Sequence, residues 1–127
     1  MAKQQITTDK GATPVGAYSQ GLRVGDFVFV AGQGPLDPQT GQIVGDTIEE
    51  QVRRTLENVR AVLEAGGATM ADVVKATVHL ADIADFARFN ATYAELFPDP
   101  KPTRTTVQSV LPGIKVEIDV IAYVGEA

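Results

Sequence analysis

The sequence predicts an α+β domain of order β-β-α-β-α-β-β, a mixed sheet with two helices packed on one face. Three observations predict it. One long segment has helical apolar spacing between a capping box and a glycine pair, several short runs alternate or are apolar throughout, and a proline-rich connector stops a second helix.

Gly21-Leu22-Arg23-Val24, a Gly25-Asp26 turn and Phe27-Val28-Phe29-Val30-Ala31 read as a hairpin. Asp37-Pro38-Gln39-Thr40-Gly41 is turn chemistry, since proline fixes its φ and glycine permits a positive one. Thr47-Ile48-Glu49-Glu50 has the form of a capping box, and its two acids suit the positive end of a helix dipole. Ile48, Val52, Leu56, Val59 and Leu63 follow at helical spacing until Gly66-Gly67. Val73–Leu80 alternates as a strand. Residues 82–97 read as the second helix, with Phe86, Phe89, Tyr93 and Leu96 on one face, and Pro98, Pro100 and Pro102 make a stiff connector behind it. Residues 105–110 and 115–123 read as two consecutive strands joined by a Pro112-Gly113 turn. No repeat, low-complexity segment or linker divides the chain, so residues 1–127 are read as one domain.

A chain of 127 residues with 44% hydrophobic content can enclose a core of its own. Net charge is −5 and the 11 basic residues are scattered, which argues against nucleic acid as a partner. With no cysteine, disulfides, thiolate catalysis and thiolate metal sites are excluded; one histidine argues against a zinc centre, so no metal or cofactor is expected. The N-terminus lacks an apolar signal core and no apolar run reaches membrane-spanning length, so a soluble, cytoplasmic protein is expected.

Two residues of the last strands point to chemistry. Arg104 follows the proline-rich connector and carries a fork of donors that can grip a carboxylate bidentately. Glu117 lies between Val116 and Ile118, pointing away from both, and a partly buried glutamate can orient or deprotonate a water. Adjacent antiparallel strands would bring the two to one end of one sheet, in a pocket for a small organic acid attacked by water. Phe27–Ala31 is apolar on both faces, and Ile121 and Tyr123 lie opposite Val116, Ile118, Val120 and Ala122. If helices cover one sheet face, the other calls for a second copy of the chain.

Gly16-Ala17-Tyr18-Ser19-Gln20, Ala31-Gly32-Gln33, Asp37-Pro38-Gln39-Thr40-Gly41, Phe89-Asn90-Ala91-Thr92-Tyr93, Pro102-Thr103-Arg104 and Val116-Glu117-Ile118 occur in order. Together, from about Gly11 to Tyr123, they resemble the reactive intermediate deaminase (RidA-type) family of small imine hydrolases. The resemblance implies a chorismate-mutase-like fold and a homotrimer with pockets between subunits. It implies that Arg104 clamps the substrate carboxylate and that Glu117 positions the water. It places Tyr18 at the pocket rim from the adjacent subunit, with Ala31, Gly32, Asn90 and Thr106 as substrate contacts. Gly32, lacking a Cβ, would let a backbone N–H approach the carboxylate; Asn90 serves equally well as a hydrogen-bonding partner for a loop backbone. Two positions depart from the family pattern: Ala31 stands where deaminating members commonly carry serine, and Thr106 where many carry cysteine. The family needs no histidine at His79, which is read as structural.

The expected function is an enamine/imine deaminase that hydrolyses 2-iminopropanoate and 2-iminobutanoate to 2-oxo acids and ammonia. The alternatives are a module that binds 2-oxo acids without turnover, and a ribonuclease or translation inhibitor, against which the acidic charge and the lack of a histidine pair argue.

Overall fold

The computed structural model describes residues 2–125. Its strands are β1 (Gln4–Ile6), β2 (Gly21–Val24), β3 (Phe27–Gln33), β4 (Val73–Leu80), β5 (Thr103–Gln108) and β6 (Val116–Tyr123); its helices are α1 (Ile48–Ala65) and α2 (Phe86–Leu96). The fold is the expected α+β class, with one strand more than the sequence predicts. β1 adds to the edge of the hairpin, where only Ile6 of its three residues is buried.

The capping box forms as read: Thr47 accepts from the Glu50 amide, and the Glu50 carboxylate accepts from the Thr47 N–H. That carboxyl is held below its usual range, chiefly by the Thr47 hydroxyl. One face of α1 buries Val52, Leu56, Val59, Val62 and Leu63 against the sheet, each contributing about 1.5–3 kcal/mol. The second helix starts later than residue 82. Asp82 caps a short 3₁₀ turn at Ile83–Asp85 by accepting from the Ala84 amide, and α2 proper begins at Phe86.

The six strands run in the order β1-β2-β3-β6-β4-β5. β6 is therefore central, antiparallel to both β3 and β4, and β5 is an edge strand parallel to β4. The chain reaches β5 from β4 through α2, the usual crossover for a parallel pair. The expectation that the last two strands pair across their Pro-Gly turn is corrected: β4 lies between them. Composition explains why. Val116, Ile118, Val120 and Ala122 need a central position, whereas Thr103-Arg104-Thr105-Thr106-Val107-Gln108 is polar enough for an edge. The boundaries shift too. Thr103 joins the ladder opposite Lys75, and Lys115 lies outside it because its amide donates to Gln51 on α1.

Val28, Val30, Ala76, Val78, Leu80, Val116, Ile118 and Val120 face the helices and are buried. Phe27, Phe29, Ile121 and Tyr123 face the other way, with the Phe27 and Tyr123 ring centroids 5.2 Å apart; Phe27 is 43% and Phe29 39% exposed. No helix among the described residues is long and apolar enough to cross a membrane.

Candidate functional site

Register places the two proposed site charges on opposite faces of the sheet. Arg104 pairs with Ala76, which is buried beneath the helices, so its side chain lies on the helix face. Glu117 pairs with His79 on the opposite, open face. Along the sheet they are separated by two inter-strand steps and three residues, or about 14 Å in its plane. Arg104 and Glu117 of one chain cannot meet on one substrate, and the expectation that they converge within one chain is corrected.

On the helix face, Arg104 lies beneath α2. Its Nη1 donates to Asn90 Oδ1 at 2.8 Å. The guanidinium carbon lies 4.8 Å from the Tyr93 ring centroid and 5.4 Å from those of Phe86 and Phe89. No Asp or Glu among the described residues forms an ion pair with it. Asn90 thus holds the arginine and does not serve a loop backbone. Burial pushes the Tyr93 hydroxyl up to about 12, with the Arg104 charge opposing. Thr106 pairs with Val78 on the same face, its hydroxyl buried without a hydrogen-bond partner among the described residues.

On the open face, β3 carries a bulge: between Val30↔Val120 and Gln33↔Ile118, Ala31 and Gly32 stand against Asp119 alone. Bulges re-aim side chains and recur beside functional sites. A methyl on Gly32 would lie 2.9 Å from Glu117 Cδ. Glycine here makes room for the Glu117 carboxyl, a reason distinct from ligand approach. That carboxyl is half-buried and makes no hydrogen bond with the described residues. Burial raises Asp119, two residues on, above the usual carboxylate range, with His79 and Lys75 opposing. His79 Nδ1 lies 2.7 Å from Ser109 Oγ.

Tyr18 and Ala31 line one open groove of about 590 Å³ with Ser19, Leu22 and Phe29. Tyr18 is 46% exposed, its hydroxyl accepting from the Val15 amide at 3.3 Å.

Sequence reasoning missed the polar residues that anchor these loops. Buried Gln20 binds Thr8 and Ala12, and its own carbonyl accepts from the Ala31 amide. Asn58 on α1 donates to the carbonyls of Gly34 and Leu36, and Gln51 ties Gly45 to Lys115. For Gln51 and Asn58 the available signal was a polar side chain on the apolar face of a helix, where it persists only when hydrogen-bonded.

This fold and these motifs define the class. The chain belongs to the RidA/RutC family and matches the family model described as Endoribonuclease L-PSP over residues 8–124. A RutC family protein of Pyrococcus abyssi is 50% identical over 125 residues, covering 97% of this chain and 98% of that protein. The chloroplastic Reactive Intermediate Deaminase A of Arabidopsis thaliana is 41% identical over 122 residues, covering 94% of this chain and 65% of that one. Among solved structures, Escherichia coli TdcF with bound serine superposes with a TM-score of 0.89 at 40% identity, covering 94% of this chain and 98% of that one.

Proposed function

We propose that this protein is an enamine/imine deaminase that hydrolyses short 2-imino acids such as 2-iminopropanoate and 2-iminobutanoate, in pockets formed between neighbouring copies of a homotrimer. The observation that carries the reading is a pair of complementary, unpartnered charges. Among the described residues, the guanidinium on one face has no carboxylate beside it, and the carboxylate on the other has no donor. Assembly that seats the open face of one copy, where Phe27, Phe29 and Tyr123 stand exposed, against the β5 edge of its neighbour would bring Glu117 of one copy toward Arg104 of the next. Relatives named reactive intermediate deaminase support the reaction class.

In this pocket Arg104 grips the substrate carboxylate, and Asn90 keeps the fork in plane. Glu117 takes a proton from a water as its oxygen bonds to the imine carbon, giving a carbinolamine. That proton passes from Glu117 to the imine nitrogen to complete the neutral carbinolamine. The hydroxyl proton then moves to the same nitrogen through Glu117 as the C–N bond breaks and the C=O bond forms, and ammonia departs with the 2-oxo acid. The imine is already electrophilic, so positioning and proton transfer suffice. Tyr18 and Ala31 form the rim, with no hydroxyl at position 31. Thr106 contributes backbone atoms.

A binding module without turnover is the second reading, favoured by the TdcF structure that holds serine. Ammonia release from 2-iminobutanoate generated in situ separates the two. Release above the uncatalysed rate that is lost in Arg104→Ala supports the deaminase. Saturable binding of 2-oxobutanoate with no added release supports the module.

A further inference from the structure

We propose that Phe86, Phe89 and Tyr93 are positioning residues that hold Arg104 by their ring faces in place of a counter-ion, leaving its in-plane donors uncommitted. A half-buried arginine ordinarily finds a carboxylate, and that carboxylate takes the same bidentate fork an incoming anion needs. Here the protein supplies one amide oxygen, from Asn90, and three aromatic faces at 4.8–5.4 Å. Ring faces attract a cation through their quadrupole but accept nothing in its plane. Of five N–H donors, Asn90 engages Nη1, and no acid among the described residues competes for the others.

The rings are themselves fixed. They stand three and four residues apart along α2, so they stack on one side of the helix. Phe86 and Phe89 have centroids 6.2 Å apart, Phe89 and Tyr93 5.4 Å, and Tyr93 and Phe97 4.5 Å. Phe89, Tyr93 and Phe97 are buried, which anchors the stack in the core, whereas Phe86 is 37% exposed and caps it at the surface. The Tyr93 hydroxyl has no hydrogen-bond partner among the described residues, and this residue meets Arg104 through its ring.

The proposal concerns how Arg104 is held; its link to catalysis rests on the carboxylate-clamp reading above. Phe86→Leu tests it, because it removes a ring face from a partly exposed position and keeps an apolar side chain there. Two measurements are needed: nitrogen NMR of the Arg104 guanidinium, reporting rotation about its Nε–Cζ bond, and calorimetric binding of pyruvate. The wild type should show slow rotation. Phe86→Leu should speed it and weaken pyruvate binding about 2- to 30-fold, and Phe86→Tyr should restore both. Faster rotation with unchanged pyruvate affinity supports the cage and overturns the carboxylate reading of Arg104. Equal rotation in wild type and Phe86→Leu overturns the cage.

Discussion

Replacing Gly32 with alanine should separate stability from activity. A Cβ at this position would lie 2.9 Å from Glu117 Cδ, 3.0 Å from its Oε2 and 3.2 Å from its Cγ. Carbon contacts settle near 3.5–4.0 Å, so something must retreat by roughly 1 Å. The three nearest atoms all belong to one flexible side chain, and the glycine φ is not in the left-handed region, so no backbone strain is added. The stability cost should stay within about 1 kcal/mol, a fall of roughly 3–5 °C in Tm for a chain of this size. A 1 Å displacement of a reacting group lowers catalysis by roughly 100-fold. Ammonia release from 2-iminobutanoate and a thermal melt on the same sample read both numbers. Activity within about threefold of wild type would refute the reasoning that the Glu117 carboxyl must sit in the space Gly32 leaves. A Tm fall beyond about 15 °C would show that the clash is not relieved by the side chain alone.

Arg104→Ala should weaken binding of a 2-oxo acid by about 2–5 kcal/mol, and Arg104→Lys should recover little because a point charge cannot reproduce the fork; affinity within about threefold of wild type by calorimetry places the carboxylate elsewhere. Glu117→Gln should lower kcat strongly while calorimetric binding of 2-oxobutanoate stays close to wild type, and undiminished turnover would leave Glu117 a structural role only. Asp119 has its folded-state carboxyl raised by burial, so the folded chain holds that proton more tightly than the unfolded chain and the ionised form opposes folding near neutrality. Asp119→Asn should raise Tm at pH 7, and the gain should fade as pH falls through the raised carboxyl value, where the wild type becomes neutral too; a gain that does not change with pH contradicts the burial assignment.

Much of the fold was legible because the local signals were physical. Thr47 and Glu50 carry the hydrogen bonds of a capping box, and α1 begins where they place it. Val73–Leu80 alternates, and β4 has those bounds. β1 was hidden because Gln4 and Gln5 are exposed and only Ile6 packs, leaving no alternation to see. The order of the last strands was misread from chain proximity. The stronger signal was burial demand: β6 has four core residues, whereas β5 has a polar strand's composition. The identities of Arg104 and Glu117 as candidate residues came from type and motif. Their placement on opposite faces came only from register, since a side chain's face depends on which strand pairs with which. The ring stack over Arg104 was half visible, because Phe86, Phe89 and Tyr93 shared a face in the sequence but nothing local placed an arginine beneath them.

The central claim is that each site takes Arg104 from one copy and Glu117 from another. Subunit mixing tests it most directly. Arg104→Ala and Glu117→Gln proteins, each inactive alone, are mixed in equal amounts, dissociated, reassembled and assayed for ammonia release; light scattering confirms a particle of three times the 13.5 kDa chain mass. In a randomly reassembled trimer, one interface in about four joins an intact Arg104 to an intact Glu117. The account predicts recovery of about a quarter of wild-type activity. If both residues of a working site came from the same chain, every site in the mixture would lack one of them, and activity that stays at the level of the separate variants contradicts the account.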